Sequence, residues 1–449
     1  MADYLDQLAE FAVSLRPEDL PPDVQTQARA QILDTLGVIV GGTRAAPVQR
    51  LARRLADPAG ACQGLGLGVR LSPRHAALVH GTAGTWLDFD GGHRWSGGHP
   101  AVHVLPAALA FAESLGRSGA DLLTAFVAGA EVACRIGLAK GQLDPTLHPH
   151  GTWPVVGAVA AAARLCGLTA GELRRAFDLV STLTLVTSWN TAFAGATVRH
   201  VYAGLGAELA LHAVDWTLAG WEGERDGVGV VFGSIAAAGI VRRRAVMDLG
   251  TTWEFTASYF KPYPFARFGH PAIDVLVDLL REHRFSADEV EHIRIRTGAL
   301  GARMREQRPT TELQARFSLP HAAALLVTRG TIEAWAFREE ALDDPAVRAV
   351  AARVIVEEDP EWEALSPQWR GATVEVLLRQ GRRLRGETGH PRGDPERPLS
   401  AEELAAKFDA LVSPVVGAAP AAAARAAIDQ LALLPSLQPL LAPLAGEPA

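Results

Sequence analysis

The densest run of chemically capable residues in the chain is Leu87-Asp88-Phe89-Asp90-Gly91-Gly92-His93-Arg94-Trp95-Ser96-Gly97-Gly98-His99. Two acids, two histidines and glycine or serine punctuation, set between apolar stretches, suit a loop that presents side chains rather than packing them. A carboxylate beside an imidazole orients the ring and raises its basicity, which is what a general base needs. His99, oriented by Asp88, is the expected base. His99 and His103 stand four apart near Asp88 and Asp90, a spacing a metal ion also accepts. There is no intervening Glu as in HExxH and no second ligand cluster, so no metal is expected.

Four His-Pro pairs occur, at His99, His148, His270 and His390. The first three precede runs of helical character, where proline is favoured in the first turn and unpaired N–H groups favour an anion. The stretch Lys261-Pro-Tyr-Pro-Phe-Ala-Arg-Phe-Gly-His270 brings Lys261, Tyr263, Arg267 and His270 onto a proline-fixed path. Arg199 and His200 precede another helix. Gly64-Leu-Gly-Leu-Gly68 lacks the spacing and the βαβ context of a dinucleotide loop and reads as a turn or a small strand.

These residues need elements to position them. Up to about residue 258 the dominant signal is helical: Tyr4, Leu5, Leu8, Phe11, Ala12 and Leu15 form one stripe, and Val24, Ala28, Ile32, Leu36 and Ile39 another. Ser118 with Asp121 and Thr169 with Glu172 are capping-box pairs. Beyond Phe260 the pattern changes. Ile293-Arg-Ile-Arg296 alternates with period two, Val354–Val356 is a second strand candidate, and Thr373–Leu378 with Arg382–Arg385 reads as a hairpin through Gln380-Gly381. Ser400 to Glu403 caps a further helix. The fold expected is therefore mainly α: a large helical domain from residues 1–258 and 400–449, interrupted by a smaller α+β lid at 259–399.

The 449 residues carry a formal net charge of −7, with Lys+Arg 43 against Asp+Glu 50. There is no basic excess for a nucleic acid. Apolar runs such as Val155–Ala163 are shorter than the roughly 20 residues that span a bilayer, so no membrane helix is expected. The first residues read as mature protein, and a cytoplasmic location follows. Cys62, Cys134 and Cys166, without CxxC spacing, fit reduced buried thiols.

Taken in order, several blocks resemble the MmgE/PrpD family, which includes 2-methylcitrate dehydratase, cis-aconitate decarboxylase and iminodisuccinate epimerase. They are His80-Gly-Thr-Ala-Gly with Leu87-Asp-Phe-Asp, His99-Pro with Leu105-Pro-Ala-Ala-Leu-Ala, and His148-Pro-His-Gly-Thr. Lys261-Pro-Tyr-Pro, His270-Pro-Ala-Ile-Asp and Ala315-Arg-Phe-Ser-Leu-Pro-His follow, then Gly393-Asp-Pro, Pro398-Leu-Ser and Lys407-Phe. The resemblance implies the same two-part fold, usually as a homodimer, and cofactor-free chemistry next to a carboxylate of a di- or tricarboxylate. Asp88, His99, His148 and Lys261 match its functional positions.

The chain departs from the decarboxylase-like pattern. Gly92 stands where threonine is common, Arg199 where lysine is usual, and Tyr202 where a histidine often follows. His321 replaces a tyrosine, and Phe265-Ala266 replace cysteines. Arg199 changes a point donor into a planar fork suited to carboxylate. The expected activity is a dehydratase-type lyase on a small polycarboxylate. Asp88, His99, His148, Lys261 and His321 would be catalytic, and Arg199, Tyr263, Arg267 and His270 would bind substrate. An epimerase, favoured by the extra imidazole of His321, is the alternative, and a non-catalytic family member a more distant one.

Overall fold

The computed structural model describes residues 3–447, apart from the side chain of Glu340. Its helices begin where the sequence caps them. Ser118 accepts from the Asp121 backbone at 3.1 Å while Asp121 accepts from the Ser118 backbone at 3.0 Å, opening the helix Gly119–Ala139. Thr169 with Glu172 and Ser400 with Glu403 open Ala170–Ser181 and Ala401–Val416 in the same way. The stripe on Pro22–Gly42 is fully buried at Val24, Ala28, Ile32, Leu36 and Ile39.

Small residues let these helices approach closely. A β-carbon at Gly157, on Pro154–Cys166, would lie 2.2 Å from the Gly129 carbonyl oxygen, and one at Gly81 would lie 2.7 Å from Gly204. The helix Gly119–Ala139 is long and apolar enough to cross a membrane, contrary to the expectation drawn from shorter runs, but 94% of its apolar window is buried by the rest of the protein. It also carries a buried pair: Arg135 Nε donates to Glu131 at 2.6 Å, while Glu131 accepts from the Glu254 and Phe255 backbone. Those bonds tie the 245–255 segment to the bundle.

The expected strands form one four-stranded sheet in the order Val354–Glu358, Val290–Thr297, Ala372–Leu378, Arg383–Thr388. The first pair is parallel (Ile293 opposite Val354). The other two are antiparallel, with Ile293 opposite Val376 and Val376 opposite Leu384. Val290, Ile293, Ile295 and Thr297 turn to the buried face, covered by His270–His283 and Leu319–Arg329. Gly381 supplies the positive φ of 79° that the hairpin turn requires.

Buried apolar side chains fall into two clusters. One unites the N-terminal helices with Phe408, Leu411 and residues through Leu444; the other lies around the sheet, from Phe265 to Leu384, and recruits Ala192 from the helical half. Gly64–Gly68 is the tip of a small hairpin, Cys62–Gly64 against Val69–Leu71, held to the chain's end by Gly66 and Gly68 donating to Leu444 and Ala445. The three cysteines are free thiols.

The close helix contact sets a stability test. Gly157→Val should lower stability by about 3 kcal/mol or abolish soluble accumulation. By contrast Gly171→Ala, where an added β-carbon meets nothing within 4 Å, should be neutral or raise stability by up to about 1 kcal/mol. Thermal melting of both variants reads the difference.

Candidate active site

The loop after the helix Pro73–Gly84 is held by its carbonyls. Arg316 donates to the Leu87 oxygen at 2.8 Å, Lys261 to that of Asp88 at 2.7 Å, and Lys407 to that of Phe89 at 2.8 Å. Arg199 donates to the Thr85 oxygen at 3.1 Å. Each cation also meets a carboxylate: Arg316 with Glu312 (2.6 Å), Arg199 with Asp88 (2.6 Å), Lys407 with Asp34 (2.6 Å), and Lys261 with Asp88 (3.4 Å) and Asp90 (3.8 Å). All four cations are almost fully buried. Burial holds the Lys407 ammonium below the usual lysine range despite Asp34, and raises the Asp34 carboxyl despite Lys407.

Asp88 has a positive φ of 46°, which turns its carboxylate toward Arg199. The expected orientation of His99 by Asp88 is thereby corrected: the partner is Asp90, whose Oδ2 lies 2.8 Å from His99 Nδ1. The Gly91 carbonyl oxygen lies 2.8 Å from the same nitrogen. A carbonyl can only accept, so Nδ1 carries the proton and Nε2, with no protein partner, is the basic nitrogen. Burial opposes ionisation of both aspartates, but Lys261 and Arg199 around Asp88, and His99 and Lys261 around Asp90, hold both carboxyls below the usual range.

Three further imidazoles pack behind His99. His150 lies between His99 and His148, with ring centroids 4.8 Å and 4.7 Å away, and 5.2 Å from His103. His103 is fully engaged: Nδ1 donates to the His99 carbonyl at 2.8 Å and Nε2 accepts from Gly151 at 2.9 Å. It has no nitrogen left for a metal, so the pairing of His99 with His103 is not a metal site. Asp90, His99 and His150 bring one ligand atom each within 4.8 Å of one another, and His99 Nδ1 also donates to the Gly91 carbonyl. His148 Nδ1 accepts from the His150 backbone at 3.1 Å, leaving its Nε2 unpartnered, and neither ring nitrogen of His150 has a partner. Burial, reinforced by Arg199, keeps both rings neutral, well below the usual histidine pKa.

A cleft of about 750 Å³ opens in front of these groups, between the helical part and the sheet part. Asp88, His99, His148, Arg199, Lys261 and Arg267 line it. Three expected residues do not. His321 sits inside the sheet part, buried, 5.8 Å from the Phe337 ring, with burial pushing its pKa to about 4. Tyr263 donates to Asp274 at 2.9 Å, and His270 accepts from Arg267 and contacts the Phe265 carbonyl, both at 3.0 Å. These two brace the wall. Arg267 itself is occupied by Asp394 at 2.5 Å and by the carbonyls of Pro391 and Arg392. Asp394 also binds Arg94 at 2.9 Å, so it clamps the 94–99 loop to the sheet part.

Asp90 and Tyr259 are the functional candidates that no role was assigned from sequence. Asp90 lay within the Leu-Asp-Phe-Asp block, and Tyr259 stands two residues before Lys261. A β-carbon at Gly92 would lie 2.5 Å from the Tyr259 hydroxyl, so this phenol fills the space beside a position where threonine is common. Burial pushes its pKa to about 12, which keeps it a neutral donor.

Two family models match the chain: the MmgE/PrpD N-terminal domain over residues 6–239 and the MmgE/PrpD C-terminal domain over residues 263–433. Curated relatives include a cis-aconitate decarboxylase-like protein of Aspergillus oryzae, 25% identical over 440 residues (91% of this chain, 90% of the relative). The cis-aconitate decarboxylase of Homo sapiens is 27% identical over 365 residues (77% and 74%), and that of Aspergillus terreus 22% over 439 residues (91% and 89%).

The neutral imidazoles make stability depend on pH. His103, His148 and His150 have folded pKa values below the unfolded value of about 6.5, at about 4 for His103. Their contribution is complete above about pH 6.5 and is lost as pH falls from there toward the folded values, because only the unfolded chain binds those protons. Each adds a slope of up to about 1.4 kcal/mol per pH unit. Asp34 and Glu131, raised by burial, oppose this as pH falls through their own folded values, because there the folded chain binds more protons than the unfolded one. The melting temperature should fall steadily from pH 7 to pH 5, and His150→Leu should make the fall shallower.

Proposed function

The chain belongs to the MmgE/PrpD family, and we propose that it is a cofactor-independent lyase acting on a small tri- or dicarboxylate at the carbon next to a carboxylate. The observation that carries this reading is the Asp90–His99 pair: Nδ1–H points to the Gly91 carbonyl at 2.8 Å with the Asp90 carboxylate also 2.8 Å from that nitrogen, which leaves Nε2 as a base at the cleft wall. In a dehydration, Nε2 removes the proton α to a carboxylate. The electron pair stays as an enolate-like anion, and Arg199 and Lys261 stabilise it as donors already in place. The anion then expels hydroxide from the neighbouring carbon. Tyr259 protonates the leaving oxygen, to which the neutral His148 ring only hydrogen-bonds, so that water and a double bond result.

The relatives named as cis-aconitate decarboxylases favour a second reading with the same groups. There a carboxylate departs as carbon dioxide, its electron pair passes to carbon, and protonated His99 returns a proton to that carbon. The epimerase reading drew on His321, which lies 5.8 Å from Phe337 inside the sheet part and does not line the cleft.

A panel of citrate, cis-aconitate and an aminated dicarboxylate tests the reading, with the absorbance of the conjugated double bond and release of carbon dioxide both followed. Turnover of a tricarboxylate is expected, and silence across the panel would sink the proposal. Asp90→Asn should lower kcat by about 10²–10⁴-fold, because the carboxylate that stabilises the imidazolium formed on proton abstraction is lost. Tyr259→Phe should lower it by about 10²-fold with little change in KM.

A further inference from the structure

The cations at the chemical end of the cleft carry no spare charge. Arg199 and Lys261 face Asp88 and Asp90, and Arg94 and Arg267 face Asp394 and Glu396. A substrate with two or three carboxylates brings more negative charge than this arrangement can match. Lys140 and Arg370 also line the cleft, and among the described residues no carboxylate oxygen lies within 4 Å of either cationic group.

Lys140 ends the helix Gly119–Ala139, whose last carbonyls favour a cation. Its ammonium lies 5.5 Å from the centroid of the fully buried Trp153 ring. An aromatic face holds a cation in place without neutralising it. Arg370 belongs to the sheet part. It donates to the Arg94 carbonyl at 3.3 Å and lies 5.4 Å from the Phe268 ring centroid, and among the described residues its guanidinium makes no other side-chain hydrogen bond. One half-buried cation thus comes from each side of the cleft, each seated on an aromatic ring.

We propose that Lys140 and Arg370 form a second carboxylate subsite, which takes a carboxylate remote from the reacting carbon and makes the cleft selective for polycarboxylates. This rests on the polycarboxylate reading above and names the residues that would enforce it. A carboxylate bridging the two would also draw the sheet part onto the helical part, since each side contributes one donor.

The test is calorimetric binding of tricarballylate, a tricarboxylate with neither hydroxyl nor double bond to react, alongside turnover of cis-aconitate. Lys140→Met should weaken tricarballylate about ten- to a hundredfold, the worth of one charge-assisted hydrogen bond. Lys140→Arg should restore most of the affinity, and Arg370→Gln should weaken binding to a similar degree. Burial puts the Lys140 pKa at about 8. The other charged groups on this stretch are Arg94, Arg303, Arg370, Asp144 and Glu363. Wild-type affinity should therefore decline as pH rises through about 8, and affinity in Lys140→Arg should stay level.

Undiminished tricarballylate binding by Lys140→Met, or a flat wild-type pH profile, would overturn the subsite while leaving the lyase reading in force. Failure of the wild type both to bind tricarballylate and to turn over cis-aconitate would overturn the two together. The wild-type pH profile needs no substitution, so the proposal stays testable even if a variant misfolds.

Discussion

The structure depends on one constraint: the carbonyl groups of residues 85, 87, 88 and 89 are held by buried cations drawn from across the chain. Arg199, Arg316, Lys261 and Lys407 each donate to one of them, and each also meets a carboxylate, Arg199 and Lys261 sharing Asp88. A buried cation without a partner costs several kcal/mol, so removing any carboxylate strands its cation. The loop therefore forms only when the helical half, the sheet part and the C-terminal helix are all in place. A glycine-rich loop is in this way made rigid by buried charges, two of which, Arg199 and Lys261, also line the cleft.

The local features of this arrangement were legible in the sequence. Capping boxes, helical stripes and the hairpin at Gly381 depend on residues a few positions apart, and the structure has them as expected. Which acid serves His99 was not legible, because Asp88 and Asp90 are equally near in sequence. A backbone φ of 46° at Asp88 decides between them by sending one carboxylate to Arg199 and leaving the other to the imidazole. The same limit applies to Arg267, whose charge is absorbed by Asp394, 127 positions away. His321 looked chemical because of its type, but its helix buries it against Phe337.

The departures from the family pattern become intelligible as exchanges of space. Gly92 removes a side chain where the Tyr259 phenol approaches to within contact distance, so a neutral hydroxyl is still present at that place. Within the matching block, His150 sits between His99 and His148, and burial keeps the His148 and His150 rings uncharged. A stack of neutral rings is a low-dielectric wall. Facing it, the hydrogen bonds from Lys261 and Arg199 act at greater effective strength than they would in water.

A chain of net charge −7 repels polyanions at a distance, but at physiological salt that repulsion is screened beyond about 8 Å. What a polycarboxylate meets at the cleft is therefore local. The inner quartet of Asp88, Asp90, Arg199 and Lys261 is balanced, which keeps it stable without a ligand and sets its donors in place beforehand. Balance also makes it a poor attractor of charge, so the pull on a substrate has to come from cations left unmatched elsewhere on the wall. Lys140 and Arg370 are the half-buried cations of that kind in this cleft. On the proposed reading, catalysis and capture fall to different charges: one set already neutralised and rigid, the other left for the substrate to complete.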